Sequence, residues 1–532
     1  MIRSYEHVVY IFLIVSLFFS ACGTSDFYAD ESSYQTYETH CPIVSEDHTL
    51  NDQIISTERY SEVIQTNLTL SDALARAYLR RENITQPSES AIAEIIRNRR
   101  PVDIDWLSFT EGINPPGRVS SAELAYDAEV FFDLLRYLYG PYNYFGGDTV
   151  FDPILENIHE ILNAQEYWTA SAFSHILHSN LSNIIFDNHF NIDGAPFAIR
   201  ASFFVGDMIF DKSENGFRTR DTNRYVAEVI GHDVHDVFRL AMDNDGEFFF
   251  APIVTSFDTS NIEYSLSILL DDGDKKVLNL HRQNTTYMEY EEPSLKYEGD
   301  IPIVTLRRMG HLNTSPVCGG LILDEESIHF LSLADYLQDE DIIIVDIRSN
   351  FGGYGLLPHI WLFLITGEIV PNNFVSISPS IPDRDILIPA EPCYCQDNRP
   401  VYFEYLSIYI RDEKEQFLGE HHIISALPDS IVPNEKLIIM LVDGYTFSAG
   451  ETFADLMLNM ENTLIIGQNT FGGLISSSQR FYLPYSNIPV NMGPFHNVFD
   501  EGGFMEGVGI APDIWVNGDA LEAALSMLGK WK

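Results

Sequence analysis

The chain has 532 residues, of which 45% are hydrophobic and 20% are charged. This composition is too apolar for a disordered chain, and the length allows about two to four domains with sizeable cores. Acidic residues outnumber basic ones by 78 to 31, and the formal net charge is −47. Such a charge repels the phosphates of nucleic acids, so nucleic acids are excluded as partners.

Residues 1–22 have the pattern of a lipoprotein signal peptide. The apolar run from Val8 to Phe19 is too short to span a bilayer comfortably but suits the apolar part of a signal. Small residues stand before Cys22, as at a bacterial lipoprotein processing site, where the thiol is acylated and the cysteine becomes the N-terminus. Glu6 weakens the positive start of the signal, and an ordinary secretory signal is the alternative. We expect an extracytoplasmic bacterial lipoprotein, anchored to the cell membrane through Cys22.

Composition and periodicity divide the rest of the chain into four regions. Residues 23–56 are polar and lack apolar periodicity, which predicts a tether between the membrane and the folded part. Apolar residues at helical spacing predict an N-terminal helical region over 57–200. Short β-branched and aromatic runs between Asp-Gly turns predict a small β-rich module over 201–300. From 301 to 532 the pattern becomes α/β.

The cysteines other than Cys22 do not define a site. Cys41, Cys318, Cys393 and Cys395 allow three disulfide pairings, and the sequence does not choose among them. Cys393 and Cys395 are not accompanied by a second pair at metal-binding spacing, so we predict no metal site.

The α/β region contains two continuous apolar runs, 342–345 and 437–442, which are typical of strands buried on both faces of a sheet. The second run leads through a short turn into an apolar helical pattern, and Ser448 stands near the start of that helix. A hydroxyl at this position is close to unpaired backbone N–H groups, which stabilise an oxyanion when the hydroxyl attacks a carbonyl. The simpler interpretation is a helix N-cap, a position that serine favours for structural reasons alone.

The first run leads into a glycine loop with the sequence Asp346-x-Arg348-x-Asn350-x-Gly352-Gly353. Its backbone N–H groups can approach a ligand closely, because glycine has no side chain in the way. Alone, the pattern is equally consistent with a simple glycine turn.

In this order, the two segments resemble the tail-specific (C-terminal processing) serine peptidases and their tricorn-core relatives. The first segment is similar to that family's D-x-R-x-N-x-G-G motif, and residues 441–444 with 448–451 are similar to its nucleophile segment. Residues 465–467, 470–472 and 507–514 also match. The resemblance covers 301–532 well and 121–200 loosely. It implies an α/β catalytic core, 301–532, with the crotonase/ClpP-like α/β/α superhelix fold and an oxyanion held by backbone N–H groups, here of Gly352, Gly353 and Ala449.

The resemblance also implies a general base other than lysine. Many tail-specific enzymes have a lysine where this chain has Gly473, and no lysine occurs between Lys436 and Lys530. The tricorn-like branch uses a histidine from the preceding helical region and a late glutamate, for which His189 and Glu506 are the counterparts. Histidine suits the task because its pKa lies near neutrality.

The implied function is therefore a serine endopeptidase that cleaves extracytoplasmic proteins or peptides through Ser448, His189 and Glu506, without a metal or organic cofactor. In tricorn the glutamate works through a serine that precedes the histidine. Asn188 stands at that position here, so the resemblance leaves open whether Glu506 touches His189 directly. The β-rich module stands where many relatives carry a PDZ domain, but it lacks the glycine-flanked carboxylate-binding loop, so we interpret it as a degenerate PDZ-like module. A catalytically inactive binding lipoprotein on the same scaffold is the alternative, and the oligomeric state stays open.

Overall fold

The computed structural model describes residues 68–84, 87–99, 112, 117–314, 321–378, 416–418, 421–424, 431–499 and 504–531. The predicted signal peptide, Cys22, the predicted tether and the other four cysteines lie outside the described residues. No helix within the described ranges is long and apolar enough to cross a membrane.

Ten α-helices lie in these ranges, together with short 3₁₀ turns at Gly140–Tyr142 and Ala334–Tyr336. The helices are α1 Leu70–Glu82, α2 Glu89–Ile96, α3 Ser121–Tyr137, α4 Asp148–Leu162, α5 Ala170–Leu181, α6 Val234–Val237, α7 Glu325–Leu333, α8 Leu357–Thr366, α9 Ala449–Met457 and α10 Ala520–Trp531.

The described strands belong to five sheets. They are β1 Val119–Ser120, β2 Tyr167–Trp168, β3 Asp187–Ile192, β4 Ala195–Phe197, β5 Ser202–Gly206, β6 Phe210–Ser213, β7 Gly216–Thr219, β8 Val226–Val229, β9 Phe238–Met242, β10 Phe248–Ser256, β11 Glu263–Leu270, β12 Lys275–Arg282, β13 Ser294–Glu298, β14 Ile301–Thr305, β15 Leu312–Thr314, β16 Leu321–Leu323, β17 Ile342–Asp346, β18 Val375–Ser378, β19 Gln416–Leu418, β20 His421–Ile424, β21 Leu437–Val442, β22 Thr463–Gly467, β23 Gln479–Tyr482, β24 Pro489–Met492, β25 His496–Val498 and β26 Ile514–Val516.

The centre of the largest sheet is parallel, with strand order β14-β17-β21-β22-β26-β9. The two apolar runs of the sequence are β17 and β21, which are adjacent, and every residue of β21 is buried. Helices α7, α8 and α9 cover one face, and α1 and α10 cover the other. Alternate strand residues supply the two cores, for example Ile438 and Ile439, because successive side chains of a strand point to opposite faces. The chain is thus a mixed α/β protein with an α/β/α layer arrangement around this sheet.

The strands of the predicted β-rich module continue this sheet. Strand β9 pairs in parallel with β26 on one side and antiparallel with β10 on the other, and the order then runs β10-β5-β12-β11-β8. Their buried residues form a core of their own, which includes Phe204, Phe210 and Leu280.

The predicted helical region packs around a separate antiparallel sheet, β23-β24-β3-β4. Strands β3 and β4 come from the end of that region, whereas β23 and β24 come from the part of the chain that follows Ser448. Val490 pairs with Ile192 and Asn491 with Asn191. This pairing brings β3, which carries His189, to the carboxyl ends of the central parallel strands.

Candidate active site

Ser448 lies at the N-cap of α9, after the loop that leaves β21. Its backbone has φ 54° and ψ −120°, a conformation that non-glycine residues rarely adopt. Such strain persists only where surrounding contacts hold it, and it is common at functional sites. One of these contacts is the Ser448 N–H, which donates to Glu451 Oε2 at 3.2 Å.

The loops after β17 and β21 are joined by direct hydrogen bonds. Asp443 accepts from the Ser349 N–H at 2.8 Å and from the Ser349 hydroxyl at 2.9 Å. Asn350 accepts at its carbonyl from the Phe447 N–H at 2.8 Å, and its amide donates to the Leu306 carbonyl at 2.9 Å. The Asp-x-Arg-x-Asn motif therefore positions the glycine turn against the residue that precedes Ser448.

Gly352 lies directly against Ser448. A Cβ at this position would stand 2.7 Å from Ser448 Cβ and 2.9 Å from the Ala449 nitrogen, and its φ is +87°. Both observations require glycine, because the approach leaves no room for a side chain and the backbone conformation disfavours one.

The three predicted oxyanion donors lie in different surroundings. Ala449 is the first residue of α9, so its N–H has no carbonyl partner within the helix. Gly353 is exposed, beside Gly352. The Gly352 N–H donates to Asn350 Oδ1 at 2.8 Å and is already engaged. Among the described residues, this leaves the Ala449 and Gly353 N–H groups as the two of the three that have no hydrogen-bond acceptor.

His189 lies in strand β3, although the sequence pattern placed it in a helical region. Pairing of β3 with β4 and β24 overrides the helical tendency of the preceding segment. The His189 Nε2 atom lies 2.9 Å from Ser448 Oγ, a hydrogen-bond distance across 259 residues of sequence. Its imidazole stacks on the Phe447 ring, with centroids 4.7 Å apart and planes inclined by 26°. The predicted nucleophile and the predicted base are therefore in contact.

Gly473 makes room for this stacking. A Cβ on Gly473 would stand 1.8 Å from Phe447 Cε2, so the ring occupies the space where a side chain would begin. The Gly473 N–H donates to Glu451 Oε2 at 2.7 Å. At the position where many tail-specific enzymes have lysine, this chain accommodates the aromatic ring that packs on its histidine.

Glu506 does not contact the His189 ring. Its carboxylate accepts from the backbone N–H of Asn188 at 2.8 Å and from those of Leu474 and Ile475 at 3.3 and 3.1 Å. Burial, and then the nearby Asp187 carboxylate, raises the pKa of Glu506 well above its usual range. Glu506 thus acts on the strand segment that carries the histidine, and within the described residues His189 Nδ1 has no hydrogen-bond partner.

Asp187 is a buried carboxylate in the site, and the sequence did not predict a role for it. It accepts from the His189 N–H at 2.8 Å, from the Tyr139 hydroxyl at 2.6 Å and from the Ser476 hydroxyl at 2.7 Å. The available signal was its place two residues before His189, since a short acidic side chain readily accepts from the N–H two residues on.

Glu451 is a second such carboxylate, and the available signal was its place three residues after Ser448, the acidic position of a capping box. It accepts from the Thr470 hydroxyl at 2.6 Å and from the Gly472 N–H at 2.8 Å, besides Ser448 and Gly473. Burial raises the pKa of Glu451 to about 7, although these hydrogen bonds favour its charged form.

On the acid side of the pH profile, the midpoint of the loss of activity is expected to lie below the usual pKa of histidine. Burial lowers the pKa of His189 from its usual 6.5, and the Asp187 charge opposes this only in part. Because a general base must be neutral, kcat/KM should fall as pH drops through a midpoint below 6.5. A profile from pH 4 to 8 measures this midpoint, and a value at or above 6.5 would contradict it.

Unfolding at low pH would also reduce activity, so it must be measured on the same samples by circular dichroism. Burial lowers the pKa of His359 to about 4 and that of His496 to about 3. The unfolded chain binds these protons near pH 6.5, whereas the folded protein does not. Protonation of these two histidines therefore favours the unfolded chain, and the free energy of unfolding decreases as pH falls below about 6.5.

Comparison with known sequences identifies one region. Residues 324–516 match the family model described as peptidase family S41. This region contains the glycine turn, Ser448 and Glu506, whereas His189 precedes it. A search of curated proteins finds no match.

Comparison with solved structures finds distant likenesses. Mature CPAF has a TM-score of 0.38 at 13% identity, over 77% of this chain and 95% of the other. The photosystem II D1 C-terminal processing protease has a TM-score of 0.33 at 15% identity, over 75% and 93%. The tricorn protease has a TM-score of 0.34 at 12% identity, over 77% of this chain and 37% of the other. By the match of residues 324–516, this chain contains a domain of peptidase family S41 and is a serine-type peptidase.

Proposed function

We propose that the protein is a serine endopeptidase that works through an acyl-enzyme on Ser448. The observation that carries the proposal is the 2.9 Å contact between His189 Nε2 and Ser448 Oγ. As Oγ attacks the carbonyl carbon of a peptide bond, its proton passes to Nε2. The negative charge that develops on the carbonyl oxygen is held by the N–H groups of Ala449 and Gly353.

The second half of the reaction reverses these proton movements. The imidazolium of His189 gives its proton to the leaving amine as the C–N bond breaks, which leaves an ester on Ser448. Water then attacks the ester and loses a proton to Nε2, and the imidazolium returns that proton to Ser448 Oγ as the ester C–O bond breaks and the acid product leaves. A base that accepts and returns one proton at each stage suffices, so the mechanism needs no metal or organic cofactor.

Glu506 is a positioning residue in this mechanism. It holds the Asn188 N–H at one oxygen and the Leu474 and Ile475 N–H groups at the other. These bonds tie β3 to the chain that follows Gly473 and so support the place of His189 above Ser448. This is a Ser-His-Glu arrangement in which the glutamate acts through the backbone.

The substrates of the proposed enzyme are extracytoplasmic proteins or peptides. The support is the sequence of residues 1–22, in which an apolar run is followed by small residues and Cys22. Acylation of Cys22 would anchor the enzyme to the outer side of the bacterial cell membrane. Mass spectrometry of the N-terminal peptide of the cellular protein tests this: an unmodified Cys22, or an intact signal, would refute the anchor.

Labelling by a fluorophosphonate tests the nucleophile. The full chain in detergent should be phosphonylated at Ser448, as peptide mass spectrometry would show, because Oγ is in contact with its base. Labelling should vanish in Ser448→Ala and fall steeply in His189→Ala. The exposed Ser260→Ala variant should label like the parent. No labelling of the folded parent, with no turnover of casein, would instead favour the inactive binding lipoprotein.

A further inference from the structure

A polar cavity of about 200 Å³ opens at the carboxyl ends of β21 and β22. Its lining includes Gly444 and Tyr445 from the loop that leads to Ser448, and Gln468 and Asn469 from the loop after β22. The lining also includes Arg200, just before β5, and Arg282, the last residue of β12. Ligands of α/β sheets bind at this end of the strands.

The cavity is positive in a strongly acidic protein. Its lining contains two arginines and no aspartate or glutamate, whereas the chain has a net charge of −47. Within the described residues, neither guanidinium has a carboxylate within 4.0 Å. By contrast, Arg348, which lies outside the cavity, contacts Asp346 at 2.8 Å and Asp519 at 2.9 Å. Burial lowers the pKa of Arg200, Tyr445 and Asp443 oppose this, and the repulsion from the nearby Arg282 charge adds to the lowering. An anion between them would relieve this repulsion.

The Arg200 side chain is held in place before any ligand arrives. Its guanidinium lies over the Phe471 ring at 4.7 Å and the Tyr445 ring at 5.3 Å, and Nη2 donates to the Gly444 carbonyl at 2.5 Å. A planar cation fixed by aromatic stacking loses little freedom when it forms further hydrogen bonds. Asp443, which attracts it at longer range, is committed to Ser349 and to the Tyr445 N–H.

The Gln468 amide and Arg282 add hydrogen-bond donors to the cavity. The Thr285 hydroxyl donates to Gln468 Oε1 at 2.6 Å. This contact uses the amide oxygen, so the Gln468 NH₂ group is not engaged by Thr285. The exposed Arg282 donates through Nη1 to the Thr259 carbonyl at 3.0 Å and has further N–H groups. Guanidinium forks and amide donors without a competing acid are the groups that bind a carboxylate.

The cavity lies within reach of the scissile bond. Gly444 is four positions before Ser448 in the chain, a span of at most about 14 Å. An extended peptide advances about 3.3 Å per residue, so a substrate group within about four residues of the attacked carbonyl can enter the cavity.

We infer that the Arg200–Arg282 cavity is a subsite for a carboxylate of the peptide substrate. The inference rests on the proposed peptidase function. Two sources offer this group: the side chain of an aspartate or glutamate close to the cleaved bond, and a free C-terminus. Both present the same anion to the two arginines.

The test begins with the cleavage sites of the full chain in a proteome-derived peptide mixture, identified by mass spectrometry. The result expected is an excess of Asp or Glu at a fixed position within about four residues of the cut, or cuts at a fixed distance from the C-terminus. Matched fluorogenic peptides then carry Glu or Gln at that position, and a free acid or an amide at the end. The peptide that lacks the carboxylate should have a kcat/KM about tenfold lower, mainly through KM.

Variants assign this preference to the cavity. In Arg282→Gln, and in Arg200→Gln if it folds, the paired peptides should be cleaved equally well. Arg220→Gln, which removes the same charge from an exposed arginine paired with Asp211, should keep the preference. Discrimination within the Glu/Gln pair identifies a side chain as the source, and discrimination within the acid/amide pair identifies the C-terminus.

Two results would overturn the inference, and they are distinguishable. A chain that is labelled at Ser448 and cleaves peptides, but distinguishes neither pair or keeps its preference in both arginine variants, has no carboxylate subsite here. A folded chain that is not labelled and cleaves nothing refutes the proposed function together with the subsite.

Discussion

Alanine in place of His189 is expected to lower kcat/KM by about 10⁴-fold. Without the imidazole, the proton of Ser448 has no acceptor at 2.9 Å, and the oxyanion donors and substrate binding alone remain. The drop should be in kcat more than in KM, because the contact is used in the transition state. Steady-state kinetics on a peptide identified by cleavage profiling measures it.

The matched control is His175→Ala, which removes an exposed histidine from α5. This variant should retain parental kinetics, and thermal unfolding should show that His189→Ala keeps its fold. A folded His189→Ala variant with kcat/KM within tenfold of the parent would mean that another group takes the proton. The mechanism proposed above would then be wrong.

Alanine in place of Gly352 is expected to lower kcat by about 10²- to 10³-fold, the range associated with loss of an oxyanion donor. The new Cβ would stand 2.7 Å from Ser448 Cβ and 2.9 Å from the Ala449 nitrogen, so the nucleophile or the oxyanion site must shift. The φ of +87° adds backbone strain of about 1–2 kcal/mol, which should lower the melting temperature by a few degrees.

Gly355→Ala is the control for this variant. Gly355 is in the same loop, and a Cβ there would meet nothing within 4 Å. It should therefore leave kcat close to that of the parent. If both variants lose activity equally, the effect comes from stiffening of the loop rather than from contact with Ser448, and the close approach of Gly352 would have no functional meaning.

The absence of a lysine at Gly473 affects the packing of the site as well as its chemistry. With no side chain at Gly473, the Phe447 ring fills the space and provides a face on which His189 stacks. The Phe447 ring in turn packs against the Phe471 ring, with centroids 5.0 Å apart, and the Arg200 guanidinium lies over Phe471. The proposed base and the proposed carboxylate subsite are therefore connected through one row of aromatic rings.

Several features of the site were predictable because they depend on neighbouring residues. The continuous apolar runs identified β17 and β21, since a strand buried on both faces shows no alternation. The turn after β21 and the helical pattern beyond it placed Ser448 at a helix start. The motif around Asn350 and Gly352 predicted a backbone that a ligand can approach closely, and in the structure Gly352 lies directly against Ser448.

Other features depend on pairing between segments that are far apart in the chain. The periodicity of residues 57–200 is helical, yet His189 lies in a strand because β24, some 300 residues later, pairs with β3. No local pattern encodes this pairing, since a strand's partner is chosen by packing. The direction of Glu506 toward the Asn188 backbone was unpredictable for the same reason.

The sequence by itself determined the class of chemistry: a serine at a helix start beside a glycine turn, no lysine to serve it, and a histidine and a glutamate as candidates. Spacing within short segments indicates the serine and the glycine turn, whereas the missing lysine, the histidine and the glutamate follow from the resemblance to the tail-specific and tricorn-like peptidases. Only the tertiary structure decided that His189 touches Ser448, that Glu506 binds backbone N–H groups and not the histidine ring, and that Arg200 and Arg282 share a cavity. Those contacts join residues separated by about 80 to 320 positions, and their geometry exists only once the sheets have packed.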